Sequence, residues 1–278
     1  MRKTETSVFS GLHHLETKNL SIYKFPLFSN KKGLIHGIST RQGGVSRAAY
    51  RSLNLSYKVG DEPKNVEENR RRLVRALSLD EERLVQAQQV HKAEVAVLPV
   101  QDCAAQRPPR AVSGVDALIT RTCGPVPLLL GADCPLILLY DEAIPAIALI
   151  HASWRGLLEG IILKTLQTWE AAFGSRRERI LAGISPSIGP CCYEVGEDFA
   201  RAWEKSDFYA SKFFIRRQGR LFFDLWQASE AQLLSVGLLP QNIYNPRVCT
   251  ACNHRFFYSY RRSGGVTGRF GLLAALRE

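Results

Sequence analysis

Three apolar runs in the middle of the chain restrict the fold more than any other feature: Val126 to Leu130, Leu136 to Tyr140 and Ile144 to Ile150. Each is far short of the ~18 residues that a membrane span needs. None alternates with polar residues as a half-wet strand would, so they fit strands buried on both faces. Such strands need covering elements on two sides. The first run stops at Gly131-Ala132-Asp133-Cys134, the second at Asp141-Glu142 and the third at His151-Ala152-Ser153-Trp154-Arg155-Gly156.

Around this centre the sequence mixes strand and helix signals. Leu34 to Ser39, Leu84 to His91, Ala93 to Pro99, Val115 to Thr120 and Ile180 to Ile184 are further strand candidates. Leu157, Leu158, Ile161, Ile162, Leu166 and Trp169 follow helical spacing, with a stop at Phe173-Gly174. A second helix is expected over Glu197 to Glu204. A hairpin is expected around Gln218-Gly219, and a third helix runs from an Asp224 cap through Leu234. Gln101 to Arg110 reads as a surface loop. Strands and helices interleave without strict alternation, which predicts an α+β layout with a mixed sheet. The 278 residues suggest about two domains by length alone, at roughly 150 residues each. No linker, repeat or low-complexity tract divides the chain, so one compact domain is expected.

The net charge of +11 favours anionic partners such as nucleotides, phosphate, nucleic acid or an anionic wall precursor. Its densest cluster is Arg70, Arg71, Arg72 and Arg75, within Asn65 to Leu77. There Val66, Leu73, Val74 and Leu77 recur at helical spacing, which places the arginines on the wet face of an amphipathic helix. No helix-turn-helix, zinc-finger or RNA-binding signature accompanies them, so no nucleic-acid partner is expected. Met1 to His14 lacks the apolar stretch of a secretion signal, and no membrane association is expected. The seven cysteines have no framework spacing, which fits reduced thiols and a cytoplasmic location.

His91, Cys134 and His151 each sit where a strand candidate gives way to a loop. A cysteine and a histidine so placed could form a nucleophile–base pair or share a metal; buried packing and simple hydrogen bonding are the competing readings. The gaps of 42 and 16 residues match no compact metal motif. Arg155, at a helix start, and Arg41, beside paired glycines, are candidate anion ligands. Cys249-x-x-Cys252 has no matching second pair, and adjacent Cys191-Cys192 suits one zinc poorly; all four are expected to be structural thiols.

Ten segments, in order, resemble the YfiH family: Ser39-Thr-Arg-Gln-Gly-Gly-Val-Ser46, Leu53-Asn54-Leu55, Val59-Gly60-Asp61, Gln89-Val90-His91, Val115-Asp116-Ala117-Leu118-Ile119-Thr120, Ala132-Asp133-Cys134-Pro135, His151-Ala-Ser-Trp-Arg-Gly156, Ile188-Gly-Pro-Cys-Cys-Tyr-Glu-Val195, Cys249-Thr250, and Tyr258-Ser-Tyr-Arg-Arg262 with Gly268-Arg269. The resemblance covers roughly His36 to Arg269. That family carries the labels laccase-domain protein, multicopper polyphenol oxidoreductase, purine nucleoside phosphorylase and peptidoglycan editing factor. The resemblance implies a four-layer α/β/β/α sandwich with mixed sheets, here a domain over 31–278 with residues 1–30 leading into it. It also implies a zinc or copper site from His91, Cys134 and His151. Ser153 and Lys92 stand where the family usually has glycine, which bears on pocket shape and charge.

Three protein ligands leave a fourth position open, as in catalytic zinc sites. The function the resemblance implies is a metal-dependent purine nucleoside phosphorylase, acting on adenosine, inosine, guanosine or methylthioadenosine, with adenosine deaminase activity. Arg41, Arg155 and, less directly, Arg261 and Arg262 are candidates to hold phosphate. Asp133 is a candidate orienting group or base. The alternative is a cytoplasmic hydrolase that edits peptidoglycan precursors. A copper-dependent polyphenol oxidase fits less well, because the only methionine is Met1 and one Cys with two His cannot hold several coppers.

Overall fold

A computed structural model of the chain describes residues 9, 11–17, 20–98, 110–206, 208 and 210–277. The loop expected over Gln101 to Arg110 lies almost wholly outside them. The fold is mixed α/β, with two large mixed sheets, a small third sheet and five α-helices among the described residues. In spatial order, the seven-stranded sheet runs His13–Thr17, Leu20–Lys24, Leu34–Ser39, Phe270–Leu276, Val126–Gly131, Leu84–Gln88 and Ala111–Ser113. The six-stranded sheet runs Ile243–Tyr244, Leu181–Ile184, Leu136–Asp141, Ala146–His151, Ala117–Thr120 and Val95–Val97. The helices are α1 (Pro63–Ala76), α2 (Trp154–Leu158), α3 (Ile161–Phe173), α4 (Glu197–Glu204) and α5 (Leu225–Ser235).

The three apolar runs are strands buried on both faces, and alternate residues enter different cores. Leu136, Leu138 and Tyr140 join Ile147, Leu149, Leu129 and Phe270 in a cluster shared by the two large sheets. Ile137, Leu139, Ala148 and Ile150 point the other way, onto Ile161, Leu166 and Trp169 of α3 and Ala228 and Leu233 of α5. On the far side of the seven-stranded sheet, Leu128, Leu130 and Leu273 meet Leu73 and Val74 of α1. A run without polar residues is thus what a strand needs when helix covers one side and sheet the other.

Two expectations change in detail. The helix expected from Leu157 onward is two helices, because Gly160 takes a left-handed φ of 77° and breaks the run between α2 and α3. Nor do all the α1 arginines face water. Arg71 and Arg72 pair with Glu68 on the surface, but Arg70 is buried and donates to Leu55 O and Gln86 Oε1. It spends its charge on tying the helix to a loop and a strand. No helix among the described residues is long and apolar enough to cross a membrane.

Burial also fixes one histidine in its neutral form. His36 is 3% exposed and accepts a 2.9 Å hydrogen bond from Phe25 N at Nε2. Burial, with Lys24 and His13 nearby, pushes its pKa down to about 3. The unfolded chain takes up a proton at His36 near pH 6.5 while the native state does not, so stability falls as pH falls from 6.5 towards 3. His36→Gln keeps an acceptor but cannot titrate. In urea unfolding at pH 7 and at about pH 4.5, wild type should lose about 2–3 kcal/mol more than His36→Gln between the two. Equal losses would contradict the assignment.

Candidate functional site

Strand register gathers the reactive residues. In the pairing of Ala146–His151 with Leu136–Asp141, His151 lies opposite Leu136, two residues beyond Cys134. On its other side Ile150 pairs with Ala117, so His151 N donates to Asp116 O at 2.7 Å. His91 arrives from the other sheet. The Gln89 side chain continues the strand ladder, donating to Leu130 O at 2.7 Å and accepting from Leu130 N at 2.9 Å. That pins the turn that follows, in which His91 takes a left-handed φ of 60°. Non-glycine residues hold this conformation only where their surroundings enforce it.

Asp116 enforces it. Its carboxylate is fully buried and accepts hydrogen bonds from Val90 N, His91 N and Lys92 N at 3.0–3.1 Å. It also lies 2.7 Å from His151 Nδ1, which donates to it and leaves Nε2 free as a ligand. Burial opposes ionisation of Asp116, but the His151 and backbone hydrogen bonds hold its pKa below the usual carboxylate value. One carboxylate therefore positions both histidines, whose rings meet edge to face with centroids 4.8 Å apart.

Candidate ligand atoms of His91, Cys134 and His151 all lie within 4.8 Å of one another. Burial works against charge on Cys134 and His151 alike. Even so, the facing imidazole draws the Cys134 thiol down to about 6, while the thiolate and Asp116 push His151 up to about 9. A stabilised thiolate with an Asp116-oriented imidazole is the donor set that a soft divalent cation takes in exchange for protons. Two nitrogens and one sulfur suit zinc or copper.

His91 and Cys134 open onto a cavity of about 650 Å³. Its walls include Trp154, Tyr193 and Tyr260, and its cations are Arg155, Arg261 and Arg269. Each guanidinium lies over one of those rings: Arg155 on Trp154 at 4.3 Å, Arg261 on Tyr193 at 5.1 Å and Arg269 on Tyr260 at 5.7 Å. Arg261 also donates to Glu194 O, and Arg269 to Thr267 O and Gly268 O. Among the described residues, the Arg155 guanidinium has no hydrogen-bond acceptor in the protein, so it is the one most available to an anion. Its helix is short, and the Gly156 amide is already capped by the buried Ser153 hydroxyl at 3.1 Å. The serine in the glycine position therefore serves α2, and any anion site here rests on the guanidinium. Asp133 also lines the cavity. At a φ of 97° it accepts from Thr250 Oγ1 through one oxygen and from Arg261 N through the other, an orienting role.

Arg41 does not line this cavity. Its guanidinium donates to Arg51 O and His254 O and stacks on Tyr258 at 4.6 Å, beside a separate pocket with Arg51 and Arg255. Its backbone carbonyl accepts from Ser52 N and Leu53 N, which folds the loop back on itself and fixes the side chain there. Sequence reading gave Asp116, Gln89, Tyr193 and Arg269 no roles of their own; their only signal is membership of the recognised segments. Cys191, Cys192, Cys249 and Cys252, expected to be structural thiols, share one cluster, with sulfurs within 4.8 Å of one another.

The family model described as multi-copper polyphenol oxidoreductase laccase matches residues 35–277. The Escherichia coli (strain K12) protein named purine nucleoside phosphorylase YfiH is 36% identical over 88% of this chain and 94% of its own. A protein from an unknown prokaryotic organism named adenosine deaminase RL5 is 35% identical over 84% of this chain and 91% of its own. The crystal structure of YlmD from Geobacillus stearothermophilus is 31% identical and superposes with a TM-score of 0.85 over 98% of this chain and 99% of its own.

Asp116→Asn keeps the size of the side chain and removes its charge. Zinc affinity at the His91–Cys134–His151 cluster, measured by competition with a chelator, should fall about 10–100-fold with the far-UV circular dichroism unchanged. Wild-type affinity in this variant would show that Asp116 does not set the histidines.

Proposed function

The chain belongs to the family described as multi-copper polyphenol oxidoreductase laccase, and from that premise we propose that it is a metal-dependent purine nucleoside phosphorylase with adenosine deaminase activity. The observation that carries this reading is the convergence, in one cavity, of the His91–Cys134–His151 cluster, aromatic walls and the uncommitted Arg155 guanidinium. Zinc or copper is the proposed cofactor. When bound, such an ion acts as a Lewis acid that activates water or polarises a substrate oxygen.

The protein's own groups account for the rest. The rings of Trp154, Tyr193 and Tyr260 offer faces for a purine, and base–aromatic stacking contributes about 1–3 kcal/mol per base. Arg155 and Arg261, which both line the cavity, neutralise phosphate. Asp133 and Glu194 hold the Arg261 wall in place, and Asp116 keeps both imidazoles aimed. In phosphorolysis a phosphate oxygen bonds to the ribose anomeric carbon, the bond from that carbon to the base breaks, and the base leaves with the electron pair and gains a proton. In deamination water adds to the purine ring carbon that bears the amine, and ammonia leaves. Adenosine, inosine, guanosine and methylthioadenosine all present the purine face and anomeric bond that this cavity can address. The +11 charge agrees with an anionic co-substrate.

Purified protein given adenosine and phosphate should yield adenine and ribose 1-phosphate, and some inosine without phosphate. His91→Ala and Cys134→Ala should reduce both activities towards background. Cleavage of an amide in a nucleotide-linked wall precursor, without base release from any common purine nucleoside, would replace this reading with the editing hydrolase.

Arg155→Ala isolates the anion site. The apparent KM for phosphate should rise about 10–100-fold, because a charge-assisted hydrogen bond contributes about 1.5–3 kcal/mol. The KM for nucleoside should change less. An equal rise in both would place Arg155 outside the phosphate site.

A further inference from the structure

We propose that Cys191, Cys192, Cys249 and Cys252 form a second metal site, a closed tetrathiolate that takes zinc and fixes one wall of the cavity. Two segments some 60 residues apart converge to build it. Cys191 and Cys192 sit in the turn in which Cys192 N and Tyr193 N both donate to Gly189 O. Cys249 and Cys252 sit in the turn in which Asn253 N donates to Cys249 O. A parallel bridge between Ser187 and Cys249, with Ser187 N donating to Val248 O and Thr250 N to Ser187 O, locks the segments side by side.

The sulfurs are spaced for one ion. Four thiolates at ~2.3 Å from a tetrahedral zinc lie about 3.8 Å from one another. Here Cys252 Sγ is 3.5 Å from both Cys191 Sγ and Cys192 Sγ, and all four sulfurs lie within 4.8 Å. A single disulfide at Cys252 would use two of these sulfurs, whereas a tetrahedral ion uses all four. Cys249 Sγ also accepts from Gly189 N at 3.3 Å, the kind of outer support that thiolate ligands receive. Sulfur-only ligands in tetrahedral array select zinc or iron–sulfur chemistry over hard cations, and four protein ligands leave no open position, so the site is structural.

Its place in the fold gives it a purpose. The first segment carries Ile188 and Tyr193, and the second leads to Tyr260 and Arg261, all of which line the cavity. Besides the Ser187–Cys249 bridge, they meet where Arg261 donates to Glu194 O and lies over the Tyr193 ring. An ion clamping the two turns holds that wall without adding apolar core.

The test uses the full chain and two metals. After expression with zinc, Cys134→Ala should still carry about one zinc per chain, and Cys252→Ser should lose that equivalent while keeping the one at the His91 cluster. Cobalt loaded into metal-stripped Cys134→Ala should give the intense thiolate-to-metal absorption of a tetrathiolate, a readout that needs no change to the cluster itself. Cys134→Ala without zinc, and without that cobalt signal, would overturn the proposal. So would a chain two hydrogens lighter than the reduced mass under native conditions, with Cys252 in a disulfide.

Discussion

The buried carboxylate of Asp116 is the interaction on which the rest of the site depends. An unpaired carboxylate so deep would cost several kcal/mol. Here three successive backbone amides and one imidazole satisfy it. The amides come from the turn that leaves the seven-stranded sheet, and the imidazole from the end of a strand in the six-stranded sheet. The same two oxygens thus join the sheets and set the angle between the two histidines. Everything nearer the cavity, including the left-handed backbone at His91, follows from that junction.

Charge follows a similar logic. A surplus of arginines could simply coat the surface, but several are committed to backbone carbonyls or aromatic faces: Arg70 on Leu55 O, Arg41 on Arg51 O and His254 O, Arg269 on its own turn. Arg155 stands out because its guanidinium rests on Trp154 and lines the cavity without an acceptor among the described residues. The local arrangement of guanidinium, ring and thiolate says more about the ligand than the net charge does.

Much of this was legible in the sequence because it is local. The doubly buried strands announced themselves as unbroken apolar runs, α4 was expected over the residues it occupies, and Asp224 caps α5 through Gln227 N as its position implied. Cys134 and His151 could be picked out because a strand end is a local feature. Asp116 could not, since its four partners lie 24 to 35 residues away and no spacing rule links an aspartate to a turn in another sheet. The cysteine cluster was hidden for the same reason. Nothing in Cys191-Cys192 or Cys249-x-x-Cys252 says that a parallel bridge at Ser187 brings them together. Arg41 went the other way: glycines beside an arginine resemble an anion loop, but its backbone folds onto residues 52–53 and its side chain is used internally.

The most direct measurement is anomalous scattering at the zinc edge from crystals of the zinc-loaded protein. The result expected here is a peak ~2.0–2.1 Å from a nitrogen of His91 and of His151 and ~2.3 Å from Cys134 Sγ, with the Asp116 carboxylate still on His151 Nδ1. Zinc found elsewhere, with those three side chains turned apart, would contradict it.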